Sequence, residues 1–170
     1  MTTVLLLIDL QRNMLEPPDP VADAPTVAEA ATGLLSRARA AGARVVHVRN
    51  NGTHDDPDLP GTPGWELVHE QRPGEPVVDK TAPDSFHETR LGELLPEPVA
   101  LVVAGLASDF CVRATALAAL ARGHQVTLAA GAHSTHPDGD RPAAEIAAEV
   151  EQELAAKGVA VVPAGDIRFD

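Results

Sequence analysis

The sequence predicts a single three-layer α/β domain over residues 1–170, with a six-stranded, mainly parallel sheet between two layers of helices. Strand-like and helical segments alternate about six times, without an internal repeat or a linker. Several strand-like segments are unbroken apolar runs, which is typical of strands buried on both faces of a parallel sheet. A length of 170 residues suits one such domain, and the 44% of apolar residues supply its core.

The first half of the chain predicts a β-α-β unit followed by a long irregular segment. A continuous apolar strand at 4–8 precedes apolar residues at helical spacing over 26–41, and Gly42 stands where that helix ends. A second strand follows at 44–48. Residues 50–75 are rich in Asn, Gly, Pro and Asp. Irregular segments of that length are usually either functional or disordered.

The second half continues the alternation. Apolar strand-like runs alternate with segments of helical periodicity, and glycines stand where several of them end. The predicted elements are a strand at 77–80, a helix at 87–95, a strand at 99–104 ended by Gly105, a helix at 109–122 ended by Gly123, a strand at 125–129, a helix at 140–156 ended by Gly158, and a strand at 159–162. Helices on both faces of these strands give the three-layer α-β-α arrangement.

Charge and composition exclude several classes of function. The formal net charge is −12, and nucleic acids are bound by basic surfaces, so no nucleic-acid partner is expected. The single cysteine, Cys111, excludes an intramolecular disulfide and a thiolate metal cage. The apolar run at 4–8 ends at Asp9 and is too short for a signal peptide or a membrane span. We therefore expect a soluble, cytoplasmic protein without a membrane partner.

Three reactive side chains fall at or just beyond the carboxyl ends of predicted strands, where parallel sheets bind their ligands. Asp9 ends the first strand, Lys80 ends the third, and Cys111 lies in the first turn of the helix after the fourth. Taken singly, they also fit a capping carboxylate, a solvated lysine and an inert buried thiol. Together they indicate a nucleophilic site, because a helix N-terminus and an ammonium group stabilise a thiolate while a carboxylate takes its proton.

Three stretches at these positions resemble the isochorismatase-like cysteine hydrolase superfamily, which includes nicotinamidases and N-carbamoylsarcosine amidases. They are LLIDLQ at 6–11, VVDK at 77–80 with Ser85-Phe86 after it, and VAGLASDFCV at 103–112. No single stretch is decisive, but the three in this order and at these spacings are specific. The resemblance extends over about residues 3–163 and implies an isochorismatase-like fold.

The resemblance also implies a catalytic triad and a mechanism. Members of the superfamily use an Asp-Lys-Cys triad, which corresponds here to Asp9, Lys80 and Cys111. They carry a non-proline cis peptide before the nucleophile, expected here between Leu106 and Ala107. It would aim the backbone N–H of Ala107, together with that of Cys111, at a developing oxyanion. The implied reaction is acyl transfer through a thioester, with Asp9 alternating between base and acid.

Candidate substrate-binding residues come from departures from the superfamily pattern and from the few aromatic residues. Asn13 and Met14 occupy positions where an acid and an aromatic are usual, near the expected mouth of the pocket. The other candidates are Trp65, Phe86, Phe110 and His133. For these side chains, packing against the core or a role in a turn is the alternative interpretation.

No metal or other cofactor is expected. The Asp-x-His motif through which nicotinamidases bind a metal after the second strand is absent from 47–51. His54, Asp55 and Asp56 are acidic enough to attract a cation, but such clusters on proline-rich loops are more often simply solvated. No Gly-x-Gly-x-x-Gly turn follows a predicted strand, which argues against a dinucleotide.

The sequence thus predicts a cysteine amidohydrolase that cleaves a C–N bond of a small amide, ureido or cyclic amide compound. Two alternatives stay open. An isochorismatase-type hydrolase would cleave an ether without covalent catalysis, and its Cys111→Ala variant would keep most of its activity. A non-catalytic binding protein with the same fold would hold Cys111 occluded. The expected partners are a small-molecule substrate and further copies of the chain in a homo-oligomer, with a dimer as the first expectation.

Overall fold

The computed structural model describes residues 1–170 and contains one six-stranded sheet. Its strands are β1 (Thr3–Ile8), β2 (Arg44–Asn50), β3 (Val77–Lys80), β4 (Ala100–Leu106), β5 (Gln125–Ser134) and β6 (Ala160–Pro163). All neighbouring strands run parallel, in the order β3-β2-β1-β4-β5-β6. The predicted fold class is confirmed, and the sheet is entirely rather than mainly parallel.

Five α-helices and three turns of 3₁₀ or π type accompany the strands. The α-helices are α1 (Arg12–Leu15), α2 (Ala24–Ala40), α3 (Leu91–Leu94), α4 (Arg113–Ala121) and α5 (Ala143–Ala156). Pro63–Trp65 and Ala164–Asp166 form 3₁₀ turns, and Ser108–Val112 forms a π-helical turn. None of the helices combines the length and the apolar character that crossing a membrane requires.

Side chains of the sheet alternate between two apolar cores, one on each face. Leu5 and Leu7 of β1 belong to the core under α2, whereas Leu6 and Ile8 belong to the core under α4 and α5. The side of α2 that faces the sheet carries Val27, Ala31, Leu34, Leu35 and Ala38. Because both faces of the central strands are covered, the unbroken apolar runs of the sequence are explained.

The helix predicted at 87–95 is wrong in length, since only α3 is helical there. Glu88 has a φ of 52°, in the left-handed region, so the chain cannot be helical through it. The Thr89 hydroxyl accepts a hydrogen bond from the Leu91 N–H at 3.2 Å, just where α3 begins. Local hydrogen bonds of this kind compete with helix formation.

Two further elements differ from the prediction in their bounds, and one helix was not expected. The helix predicted at 109–122 begins as the π-helical turn and becomes α4 at Arg113. The strand predicted at 125–129 continues through Gly131 to Ser134. Helix α1 was not predicted, because its four residues are too few to show a helical period.

The strand order reverses between β1 and β4, which makes their carboxyl ends the expected ligand-binding edge. Gly105 of β4 pairs with Ile8 of β1. Its φ is +133°, and a Cβ atom there would lie 2.0 Å from the Ile8 carbonyl oxygen. Glycine therefore allows the two strands to approach closely, one residue before Asp9.

Candidate active site

Asp9 is the first residue after β1 and lies in the wall of a cavity at this edge. Its backbone is left-handed (φ 51°), a conformation that aspartate tolerates better than most residues, and its N–H donates to the Val48 carbonyl at 2.9 Å. The residue is only 4% exposed. Its Oδ2 atom lies 2.9 Å from Lys80 Nζ, while Oδ1 is buried without a hydrogen-bond partner. Oδ1 is therefore free to take a proton within the site.

Lys80, the last residue of β3, holds the other groups of the site together. It is 2% exposed, although lysine is normally a surface residue. Its Nζ atom lies 2.9 Å from Asp9 Oδ2, 3.0 Å from Asn50 Oδ1 and 3.2 Å from Cys111 Sγ. An ammonium group has three N–H donors, so each contact accounts for one of them.

Cys111 lies in the π-helical turn after β4 and is half-buried. The peptide bond between Leu106 and Ala107 is cis. Ala107 lines the same cavity as Cys111, and its N–H donates no hydrogen bond to another protein group. A free donor thus belongs to a residue of the same cavity as the sulfur, and free donors near a nucleophile can stabilise negative charge on a bound carbonyl oxygen.

Asn50 and Gln11 form the polar support behind Lys80. Asn50 ends β2, and its Nδ2 atom donates to Asp58 Oδ2 at 2.7 Å while its Oδ1 atom accepts from Lys80. The Gln11 side chain donates to the Asn50 carbonyl at 3.0 Å and accepts from the Asn50 N–H at 2.9 Å. It also donates to the Trp65 carbonyl at 3.0 Å. These bonds fix the end of β2 and the loop beyond it.

The electrostatics of the three groups are dominated by burial. Burial raises the pKa of the Asp9 carboxyl group, and this effect outweighs the opposing charge of Lys80. Burial lowers the pKa of Lys80, but the charges of Asp9 and Cys111 together outweigh it, so that pKa is raised. Burial, reinforced by the Asp9 carboxylate, raises the pKa of the Cys111 thiol to about 12. The site at rest therefore holds a protonated amine, a neutral thiol and a carboxyl group of increased proton affinity.

The three groups meet beneath a cavity of about 550 Å³. Its walls come from the segments after β1, β2, β3, β4 and β5, and include Asp9, Met14, Asn50, Phe110 and Cys111. A second cavity of about 610 Å³ shares Met14 and His136 with the first. Both volumes are in the range of small-molecule binding sites.

Comparison with known proteins identifies the family. Residues 3–156 match the isochorismatase domain family. The chain belongs to the isochorismatase family. A streptothricin hydrolase of Streptomyces noursei is 47% identical over 144 residues, covering 82% of this chain and 56% of that protein. A second streptothricin hydrolase of the same organism is 45% identical over 144 residues, covering 82% and 51%.

The chain thus spans about half the length of these curated relatives. Among solved structures, an isochorismatase from Pseudomonas putida superposes on this isochorismatase-family chain with a TM-score of 0.90 at 28% identity. The superposition covers 97% of this chain and 89% of that one.

The structure brings together Asp9, Lys80 and Cys111, the three site residues predicted from the ends of strands. Of the candidate substrate-binding residues, Met14 and Phe110 line the first cavity. Phe110 is 62% exposed at the cavity wall, an unusual position for a large apolar side chain. Its exposure is consistent with contact to a ligand.

Phe86 and His133 do not line either cavity, so their prediction as substrate-binding residues is wrong. Phe86 is 5% exposed in the core under α4 and α5, with its ring stacked on that of His124 at a centroid distance of 5.9 Å. His133 is also 5% exposed, and its ring nitrogens bond Ser108 Oγ at 2.7 Å and Glu151 Oε1 at 2.9 Å. Both side chains are structural in this isochorismatase-family fold.

Neither Trp65 nor Asn13 lines the first cavity. Trp65 lines neither cavity, which corrects its prediction as a substrate-binding residue, whereas Asn13 stays a candidate in the wall of the second cavity. The Trp65 indole N–H donates to Asn51 Oδ1 at 2.7 Å, and the Arg49 guanidinium lies 3.5 Å above its ring. This contact packs the 50–75 segment against β2. Asn13 lines only the second cavity, where its Oδ1 atom is buried without a partner.

Several cavity residues were not predicted, namely Asn50, Asp58, Asp109 and Thr135. Asn50 ends β2 as Asp9 follows β1 and Lys80 ends β3, so the same strand-end rule could have found it. Asp109 lies within the stretch that carries the family resemblance, but no role had been assigned to it. His54, Asp55 and Asp56 are exposed, and no group of three or more His, Cys, Asp or Glu side chains is arranged to hold a metal ion.

Proposed function

We propose that this isochorismatase-family chain hydrolyses a C–N bond of a small amide, ureido or cyclic amide compound through a thioester on Cys111. One observation carries the proposal: a single buried amine lies within hydrogen-bond distance of both a carboxylate and a thiol at the floor of an open cavity. Nucleophilic catalysis needs a nucleophile beside a base and a third group that orients them. Cys111, Asp9 and Lys80 take these roles in that order.

The first half-reaction forms the thioester. Asp9 Oδ1 takes the Sγ proton, and the thiolate electron pair forms a bond to the carbonyl carbon of the substrate. The carbonyl oxygen becomes an oxyanion, which the N–H groups of Ala107 and Cys111 stabilise. The oxyanion then reforms the carbonyl, the C–N bond breaks, and Asp9 returns its proton to the departing nitrogen, which leaves as ammonia or an amine.

The second half-reaction releases the acid and restores the thiol. Asp9 takes a proton from water, and the resulting hydroxide attacks the thioester carbon. The C–S bond breaks, and the sulfur regains a proton from Asp9. Lys80 stays protonated throughout and balances the negative charge, which moves between carboxylate and sulfur.

The raised pKa values support this order of events. A thiol with a pKa of about 12 does not ionise by itself at neutral pH, so its proton must be removed as the substrate is attacked. The raised pKa of Asp9 makes the carboxylate a stronger base for that step. The relatives named streptothricin hydrolase also support a hydrolytic reaction.

The proposal is tested by a screen for ammonia or amine release from primary amides, ureido compounds, lactams and streptothricin. Activity should fall by about a thousandfold or more in both Cys111→Ser and Cys111→Ala. Active preparations should also show a covalent adduct at Cys111 when mass spectra are recorded after rapid acid quenching.

Two results would contradict the proposal. Cys111→Ala with most of its hydrolytic activity would favour ether cleavage without covalent catalysis. Tight binding of amides without turnover by the unmodified protein would favour a binding protein. The matched control is Ser36→Ala, which changes a side chain in the middle of α2, away from the cavity.

A further inference from the structure

The charged side chains around the first cavity are almost all acidic. Four carboxylates line it, from Asp9, Asp58, Asp109 and Asp138, and no arginine does. Lys80 reaches the floor through Nζ and is paired with Asp9. The opposite charges of Lys80 and Asp9 cancel, so the net charge of the cavity wall comes from the other three carboxylates.

Those three carboxylates have no cationic partner within 4.0 Å. Asp58 accepts a hydrogen bond from the Asn50 amide and Asp109 from the Thr135 hydroxyl, each at 2.7 Å, and both donors are neutral. Asp138 is exposed, and the Asp138–Arg141 turn is closed by backbone hydrogen bonds. The Asp138 carboxylate is not part of an ion pair.

Every arginine near the mouth is already neutralised by an acid of its own. Arg113 makes a two-pronged pair with Glu153 at 2.6 and 2.7 Å. Arg141 pairs with Glu149, and Arg12 pairs with Glu16 and Glu66. The electrostatic field in the cavity is therefore set by the unpaired carboxylates, and such a field concentrates cations in a cleft.

Two further features point to a ligand rather than to a merely solvated acidic surface. Asp9 is more than nine-tenths buried, it is one of the residues that line the cavity, and its Oδ1 atom has no hydrogen-bond partner. Phe110 follows Asp109 directly and is 62% exposed. A phenyl ring and a carboxylate in the wall of one cavity suit an alkyl ammonium group, whose methylenes can pack on the ring while its charge meets the acid.

We propose that the site takes cationic amides, in which an ammonium or guanidinium group several bonds from the scissile carbonyl is bound by Asp109 and Asp138, with Asp58 adding to the field. The proposal rests on the proposed amide hydrolysis and names its substrate class. The second cavity lies next to the first, with Met14 and His136 in both walls, and could receive the far end of a longer substrate.

Three amides that differ in charge but hardly in size test the proposal. They are ε-aminocaproamide, heptanamide and pimelic acid monoamide, which carry a positive, a neutral and a negative end group. Ammonia release by the unmodified protein gives kcat/KM for each. Calorimetry with Cys111→Ala gives their Kd values without turnover. Both measurements should favour the cation over the neutral amide by about tenfold and should disfavour the anion further.

Variants of the carboxylates localise the effect. Asp109→Asn and Asp138→Asn should each reduce the ratio of kcat/KM for the cationic amide to kcat/KM for heptanamide about two- to fivefold. Asparagine can still accept the Thr135 hydrogen bond, and exposed Asp138 serves as a second site should Asp109→Asn fold poorly. Glu29→Gln, on the exposed side of α2, removes the same charge from the whole protein and should change nothing. High ionic strength should reduce the preference.

The two measurements separate this inference from the proposed function. Hydrolysis of heptanamide as fast as that of the cationic amide would overturn the cationic substrate class and leave amide hydrolysis intact. Absence of turnover with these three amides and with the ureido compounds, lactams and streptothricin of the screen, but tighter binding of the cation, would overturn amide hydrolysis and support the charge selection of the cavity. Equal Kd values for the three amides would overturn the inference in either case.

Discussion

All three N–H donors of the Lys80 ammonium group have acceptors within the candidate active site, and these contacts fix the position of the amine. A buried ammonium group that lacks a partner is costly, so each of its three acceptors is under constraint. In the proposed reaction Asp9 and Cys111 supply the reacting atoms, whereas Asn50 supplies only a hydrogen-bond acceptor for Lys80. Asn50 is therefore a positioning residue for the amine.

Loss of the Asn50 acceptor should slow the reaction without abolishing it. Hydrogen bonds to charged groups contribute about 1.5–3 kcal/mol, so Asn50→Ala should lower kcat by about ten- to a hundredfold. Asn50→Asp should shift the acid limb of the pH profile to higher pH, because a second carboxylate raises the pKa of Asp9. Asn51→Ala, which alters only the bond to Trp65, serves as the control. Equal kinetics of Asn50→Ala and Asn51→Ala would contradict the assigned role.

The value of kcat/KM should fall at acid pH, as Asp9 becomes protonated, and should show no change near the ordinary pKa of a thiol. Asp9 must be ionised to act as a base, and burial raises its pKa above the ordinary value, so activity should rise with pH through that raised pKa. The charge of Asp58 adds to the shift, so Asp58→Asn should move the limb to lower pH. The thiol pKa of about 12 predicts a plateau to alkaline pH. An alkaline limb at the ordinary thiol pKa would contradict a neutral resting thiol.

The candidate catalytic residues could be found in the sequence from their positions at strand ends. The directions of other side chains could not be predicted in this way. Asp9 and Lys80 stand out because a charged residue ends an apolar run. Phe86 and His133 also lie near the expected site along the chain, yet each points into a packed interior. Whether an aromatic side chain faces a core or a cavity depends on packing between distant elements, which no local pattern reports.

At the scale of elements, the approach of β1 and β4 decides where Asp9 stands. Gly105 pairs with Ile8, and the register of β4 against β5 shifts between Val103 and Gly105. The glycine permits both the positive φ and the close contact, so one position controls the geometry at the reversal of strand order.

Gly105→Ala should damage both stability and activity. Its Cβ atom would overlap the Ile8 backbone and force φ into an unfavourable region, at a cost of about 2–5 kcal/mol in the free energy of unfolding. Urea unfolding monitored by circular dichroism measures this cost. Gly92→Ala, in α3 with no atom near its Cβ, should be neutral or stabilising by up to about 1 kcal/mol. Equal stability of the two variants would refute the close-approach argument.

Elements with a strong period were predictable, and short ones were not. Both β1 and α2 show their patterns over many residues, and the structure contains them at nearly the predicted positions. At 87–95 the helical pattern was cut short by the left-handed Glu88, and the π-helical turn before α4 has the same composition as a helix. Such differences arise from backbone hydrogen bonding rather than from residue type.

For the molecule as a whole, the 50–75 segment is held at both ends by polar contacts. Gln11 bonds the backbone at Asn50 and Trp65. At the other end, Glu75 accepts two hydrogen bonds from Arg39 of α2, at 2.7 and 2.8 Å, and lies 3.0 Å from His47 Nε2 of β2. The segment is thus tied to a strand and a helix, although it contains little regular structure of its own.

The Glu75 contacts make this attachment sensitive to acid. The hydrogen bonds from Arg39 lower the pKa of Glu75 to about 2, from an ordinary value of 4.5. A carboxylate whose pKa is lowered by folding stabilises the protein above its unfolded pKa, and this stability is lost as pH falls towards the folded value. Burial lowers the pKa of His47, so protonation of that histidine in the unfolded chain adds a separate loss of stability below its ordinary pKa of 6.5.

Glu75→Gln should therefore be less stable than the unmodified protein by at most about 3 kcal/mol at neutral pH, and the difference should shrink as pH falls below about 4.5. Above about pH 6.5 the difference should be constant, and between that pH and 4.5 it should not decrease, because loss of the Glu75 carboxylate lowers the pKa of His47 further. Urea unfolding over a series of pH values measures it, and Glu29→Gln, which removes an exposed carboxylate on α2, should match the unmodified protein throughout. If the difference persisted undiminished to the lowest pH at which both proteins fold, the ion pair would not be its source. The loss would then come from the shape of the side chain rather than its charge.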